Sequence, residues 1–171
     1  MVNTSTLIRI LKHRWMDEAD ALRALGADEL RRIEERVTAS ESSHTGELRV
    51  CVEAGLPLSY LWRGASARER AIAMFGKLRV WDTEHNNDVL IYLLLAERRI
   101  EIVADRGITQ QVPAATWQQI SDAMGAAFKE GDHARGLLDV VDRIGALLAQ
   151  HFPADASQVN PNELPGRPGV R

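Results

Sequence analysis

Three short polar stretches of this chain are rich in oxygen donors: Thr45-Gly46-Glu47, Asn86-Asn87-Asp88 and Asp105-Arg106-Gly107. Carboxylate and amide oxygens are the ligands that hard divalent cations prefer. Glu47, Asn87, Asp88 and Asp105 are therefore the candidate ligands for calcium or magnesium, with His85, Asn86, Arg106 and Gly107 as candidate binding residues around them. A cation held by Glu47, Asp88 and Asp105 would polarise a phosphoryl oxygen and activate a water. Asn86 and Asn87 would then orient a substrate and His85 would donate a proton. The same residue types also make ordinary turns and caps at strand ends, and Asp105 is placed to accept backbone amides in the loop at Gly107. The spacing is not that of an EF-hand loop.

Other chemistries lack their residues. A single cysteine, Cys51, excludes a disulfide framework and a multi-cysteine metal site; in a strand it reads as a small apolar filler. The histidines (His13, His44, His85, His133, His151) form no H-x-x-x-H pair. There is no phosphate-binding glycine loop, no dinucleotide fingerprint and no G-x-S-x-G nucleophile elbow. Ser42 and Ser43 precede His44, but neighbours in sequence do not make a triad. A formal net charge of −3 over 171 residues gives the chain as a whole no attraction for nucleic acid or an acidic membrane.

The elements that must position the polar stretches follow from periodicity. Leu48, Val50 and Val52 alternate with Arg49, Cys51 and Glu53, the pattern of a half-buried strand over Glu47–Ala54. Val89–Leu95 is apolar without a break, which predicts a central strand covered on both faces. Glu97-Arg98 turns the chain, without the glycine a tight hairpin prefers, and Arg99–Ala104 returns. This hairpin brings Asp105–Gly107 beside Asn86–Asp88. A first strand parallel to the second brings Thr45 and Glu47 to the same end.

Around the strands the sequence predicts helices. Leu7, Leu11, Trp15 and Leu22 share one face of a helix over Thr6–Leu25, and Leu30, Ile33 and Val37 mark a second over Asp28–Ala39. Ser66 and Glu69 form a capping box before Ala71, Ile72, Phe75 and Leu78. Trp117, Ile120, Met124 and Phe128 make a stripe after Pro113, and Leu137, Val141, Ile144 and Leu148 make another after Asp132. The segments Gly55–Gly64, Trp81–Asn87 and Gly107–Val112 read as loops, with Tyr60, Trp62 and Trp81 available to a partner.

The expected order is α-α-β-α-β-β-α-α. It describes an α/β fold: a small mixed β-sheet, made of a β-α-β crossover plus an antiparallel hairpin, sandwiched by helices. An N-terminal amphipathic helix over 1–27 precedes the α/β domain, 28–153. Residues 154–171, rich in proline and poor in large apolar side chains, are expected to be a disordered tail. The N-terminus lacks a signal-peptide layout and the longest apolar run, Val89–Ala96, is too short to span a bilayer, so a cytoplasmic protein is expected.

The runs Asn86-Asn87-Asp88-Val89-Leu90-Ile91-Tyr92-Leu93-Leu94-Leu95 and Arg99–Ile108, with Thr45–Val50 upstream, resemble the TPM domain. That family takes its name from a thylakoid lumen protein, a photosystem II repair protein and a modulator of levamisole receptors. The resemblance covers roughly Asp28 to Phe152. The helix pair with Trp117, Phe128, Gly131 and Gly136-Leu137-Leu138 fits it as well. It implies a compact α/β sandwich. For a chloroplast branch it implies acid phosphatase activity and calcium binding. For other members it implies accessory roles at membranes, often beside a LemA-type protein in bacteria. This chain departs in lacking the usual signal and anchor, as a soluble bacterial branch would, and in placing Asp88 where many relatives have glycine. The expected function is a non-catalytic binding or assembly module with a calcium or magnesium site, whose partner is a LemA-type or membrane-associated TPM protein. The alternative is a metal-assisted, acid-phosphatase-like hydrolase.

Overall fold

The apolar run at Val89 becomes the inside of a sheet. The computed structural model describes residues 4–16, 18–80, 86–154 and 168–170. Its strands are β1 (Leu48–Glu53), β2 (Val89–Leu94), β3 (Arg99–Ala104) and a two-residue β4 (Gly169–Val170). They lie in the order β3-β2-β1-β4. β1 and β2 are parallel with Leu48 opposite Val89, and β2 and β3 are antiparallel with Val89 opposite Ala104. The mixed sheet expected from the alternation and the apolar run thus forms. Every residue of β2 is buried, which is why it carries no polar alternate.

The period-two geometry of strands sorts the side chains. Leu48, Val50, Val52, Val89, Ile91 and Ile102 face α3 (Ala27–Glu41), α7 (Ala114–Lys129) and α8 (His133–His151). Cys51, Leu90, Tyr92 and Val103 face α5 (Ala67–Lys77) on the other side. Burying one such leucine or isoleucine contributes about 1.5–3 kcal/mol. α5 starts on the expected capping box, with the Ser66 hydroxyl accepting the Glu69 amide and the Glu69 carboxylate accepting the Ser66 amide. Arg98, in the left-handed region at φ 50°, takes the hairpin position a glycine would favour. Arg68 donates to the Ile102 carbonyl and so blunts the outer edge of β3.

The structure corrects several local expectations. The helix expected over Thr6–Leu25 is two, α1 (Thr4–Arg14) and α2 (Glu18–Leu25). The Leu7–Leu11–Trp15 stripe does not dock; those side chains are exposed. α1 is held instead by polar groups. The Leu56 amide donates to His13 Nδ1 at 2.9 Å, His13 Nε2 lies 3.1 Å from Glu97 Oε1, and Arg9 donates to both Glu97 and the Ala65 carbonyl. The expected loops hold short helices, α4 (Leu58–Trp62) and α6 (Arg106–Gln111). α6 forms because the Asp105 carboxylate caps its first amide at 2.6 Å. Of the expected tail, residues 155–167 lie outside the described residues, while Gly169 and Val170 pair with Cys51 and Val52. Trp81 and His85 also lie outside the described residues.

Candidate functional site

One step beyond the strand register stand Glu47, Asp88 and Asp105, in a row across β1, β2 and β3. Backbone bonds continue the sheet past its ends: Val89 to Glu47 at 2.9 Å, Asp105 to Asp88 at 2.9 Å, and Gly107 to Asn86 at 2.8 Å. Side chains add to them. The Glu47 amide donates to Asp88 Oδ1 at 2.7 Å, and Asn87 Nδ2 donates to Thr45 Oγ1 at 3.0 Å. The polar stretches therefore meet at one end of the sheet. Asn86, at φ 50°, and Arg106 are exposed at its rim.

Burial is what distinguishes this end from an ordinary set of turns. Asn87 and Asp88 are fully buried, and Glu47 and Asp105 nearly so. Asp88 Oδ1 and Asp105 Oδ1 serve backbone amides, one bridging strands and one capping α6. Asn87 Oδ1 and Asp105 Oδ2 are buried and meet no hydrogen-bond donor. Leaving a buried acceptor unsatisfied costs about 1–3 kcal/mol. Both atoms are oxygens of the kind a hard cation takes. Among the described residues no three His, Cys, Asp or Glu side chains are placed to hold one ion. The donor set thus fits calcium or magnesium in kind, and its carboxylates alone do not complete a shell.

Gly46 is fitted to this end. A Cβ on it would stand 2.7 Å from the Asn87 carbonyl oxygen and 2.8 Å from Leu148 Cδ2. Nearby, the sequence reading passed over Glu41. It lies on the same helical stripe as Ile33 and Val37, and all three are buried. An acid on an apolar stripe is the signal that would have found it. Its Oε1 accepts the Leu48 amide at 3.3 Å. Burial, aided by the charge of Glu47, raises its pKa to about 7. The folded protein thus holds this proton more tightly than the unfolded chain. The resulting stability is complete below the ordinary carboxyl pKa and is lost as pH rises through about 7. Urea unfolding between pH 5 and 8 is expected to show this loss, as much as about 3 kcal/mol, and Glu41→Gln is expected to flatten it.

The serine beside His44 is Ser40, not Ser42 or Ser43, whose hydroxyls donate to the backbone of α3. His44 Nδ1 donates to the Gly46 carbonyl at 2.7 Å, so Nε2 accepts from Ser40 Oγ at 3.0 Å. Gly145 of α8 packs directly on Ser40, leaving no room for a Cβ. This arrangement closes the crossing of α3 on α8.

A second polar cluster lies at the other end of β1. Arg70 donates to both Glu53 oxygens, at 2.8 and 2.5 Å, and the Tyr92 hydroxyl donates to Glu53 Oε2 at 2.6 Å. The guanidinium also lies 5.0 Å from the centre of the Tyr60 ring. Burial first, then the charge of Glu53, pushes the Tyr92 hydroxyl pKa up. These groups satisfy one another and anchor α5 to the sheet.

A cleft of about 360 Å³ runs along β3, lined by Arg68, Glu101, Ala104, Thr109 and Trp117 among others. Ala104 and Thr109 bracket Asp105 in sequence. Trp117 Nε1, at the wall of the cleft, is buried without an acceptor. Burial raises the pKa of Glu101, against the pull of Arg68, whose Nη1 lies 3.7 Å from its carboxylate.

The TPM domain matches residues 16–147. A similar solved structure is that of BA42 from the psychrophilic bacterium Bizionia argentinensis, at 28% identity and a TM-score of 0.73, covering 85% of this chain and 94% of that one. The N-terminal domain of a P. gingivalis protein shares the fold, at 22% identity and a TM-score of 0.62, over 80% of this chain and 90% of that one. No curated protein matches the sequence. The family match spans the mixed sheet from β1 to β3 and most of α8, and the chain belongs to the TPM domain family.

Proposed function

We propose that the protein is a binding module whose polar sheet end takes a divalent cation, calcium or magnesium. The observation that carries this reading is Asp105 Oδ2, a buried oxygen that meets no donor, in the row where Glu47 and Asp88 are also buried. Asp105, with Glu47 and Asp88 in the same row, would hold the ion, Asn87 would reach it only through water because it stands on the other face of the sheet end, and water or backbone carbonyls would fill the remaining positions. Arg106 and Gly107 would carry the ion's effect into α6 and the cleft along β3. The chain's own part is to bind and position; the partner expected by family likeness is a LemA-type or membrane-associated TPM protein.

Thermal unfolding in calcium or magnesium tests the reading. A ligand that binds only the folded state stabilises by about 2.7 kcal/mol at a hundredfold excess over its Kd, so millimolar calcium or magnesium is expected to raise the Tm. Asp105→Asn keeps an oxygen to cap α6 and removes the charge. It is expected to leave the Tm without added ions unchanged or higher and to abolish the rise. No rise in either ion, or the same rise in Asp105→Asn, contradicts the proposal.

A further inference from the structure

We propose that α1 and α4 form a docking face for an anionic lipid surface. Among the described residues α1 is fixed to the body on one side: Ile10 packs on the core cluster that α5 covers, and Arg9 and His13 bind Glu97, the Ala65 carbonyl and the Leu56 amide. At about 100° of rotation per residue, Leu7, Leu11, Trp15 and Ile8 fall within an arc of about 100° on another side. These four are 51, 58, 83 and 62% exposed. Scattered apolar residues at a surface are ordinary; three on one face of α1, continued by Trp15 just past its end, where its amide donates to the Leu11 carbonyl, mark an interaction site.

The charges around the arc identify the occupant. Lys12 and Arg14 are exposed and border it on its two sides, and α1 contains no acidic residue. α4, packed against α1, adds exposed Leu58 and Trp62 and is followed by exposed Arg63. Arg63 lies over the Tyr60 ring and 3.7 Å from Glu69, so among the described residues the cations of the face without an ion pair are Lys12 and Arg14. An apolar arc with cations along both borders matches a plane of acyl chains beneath anionic headgroups: the apolar side chains enter, the long cationic ones reach back to phosphate, and tryptophan sits at the boundary. A groove on a protein would cover the arc without calling for cations on both sides. The net charge of −3 belongs to the whole chain and does not describe this face. Among the described residues no helix is long and apolar enough to cross a membrane.

Flotation of the full chain with vesicles tests this. With vesicles of mixed phosphatidylglycerol and phosphatidylcholine, recovery in the lipid fraction is expected to exceed that with phosphatidylcholine alone by about tenfold or more, and to fall at high salt. The double substitutions Leu11→Gln with Trp15→Gln, and separately Lys12→Glu with Arg14→Glu, are each expected to lose it. All four side chains are exposed, so both variants are expected to keep the parent's circular dichroism and cooperative unfolding, with a small fall in Tm for Lys12→Glu with Arg14→Glu because acids replace cations in the last turn of α1; retained dichroism shows that they fold. Absence of flotation, or flotation undiminished in both variants, overturns the proposal. So does a dimer by light scattering that Leu11→Gln with Trp15→Gln converts to monomer while flotation is absent, which would give the face to a second copy of the chain.

Discussion

Arg70→Ala is expected to destabilise the protein by about 3–5 kcal/mol, read from urea or thermal unfolding. Glu53 has 4% of its side chain exposed, and among the described residues Arg70 supplies its positive charge through two hydrogen bonds. Removing the guanidinium leaves a buried carboxylate that still accepts from the Tyr92 hydroxyl but has lost both charge-assisted bonds, and takes a cation from the Tyr60 ring. The large term is the stranded charge rather than the lost contact. Replacing the whole cluster by apolar groups of similar shape, as Glu53→Met, Arg70→Met and Tyr92→Phe together, is therefore expected to recover most of the loss. A cost below about 1 kcal/mol for Arg70→Ala would show that the pair is not what fastens α5 to the sheet.

The second large effect is expected at Gly46. An alanine there places a methyl 2.7 Å from the Asn87 carbonyl and 2.8 Å from Leu148. The first of these neighbours is backbone, so β1 and β2 must part at the polar end or α8 must shift. Overpacking of this kind costs about 1–3 kcal/mol. Because the displaced residue is Asn87, Gly46→Ala is expected to weaken any calcium response beyond its effect on stability, and Gly76→Ala, whose Cβ meets nothing within 4 Å, is the matched control. A variant as stable and as calcium-responsive as the parent would contradict the tight fit described for Gly46.

The sheet and its polar end were legible in sequence for a definite reason. Alternation at Leu48–Glu53 and the apolar run at Val89 set the strands. The turn at Glu97-Arg98 then fixed the register that brings Asp105 beside Asp88. Local chemistry was legible as well, in the Ser66–Glu69 box and in the capping capacity of Asp105. What escaped depends on distant partners. His13 looks like one more polar residue of an amphipathic helix, yet it is buried because the Leu56 amide, 43 positions away, and Glu97, 84 positions away, receive it. Those bonds turn the Leu7–Leu11–Trp15 stripe outward, against the rule that the apolar face docks. Alternation places Glu53 on its observed face of β1, but it does not say that α5 covers that face and supplies Arg70. β4 escaped because pairing two residues against Cys51 and Val52 requires no apolar run.

The direct test of the polar sheet end is a calcium titration of isotope-labelled protein followed by amide chemical shifts. Saturable shifts are expected at Glu47, Leu48, Asp88, Arg106 and Gly107, with the amides of Glu53 and Arg70 at the far end unmoved. Shifts centred elsewhere, or none in millimolar calcium, would contradict a cation site at Asp105 in the row with Glu47 and Asp88.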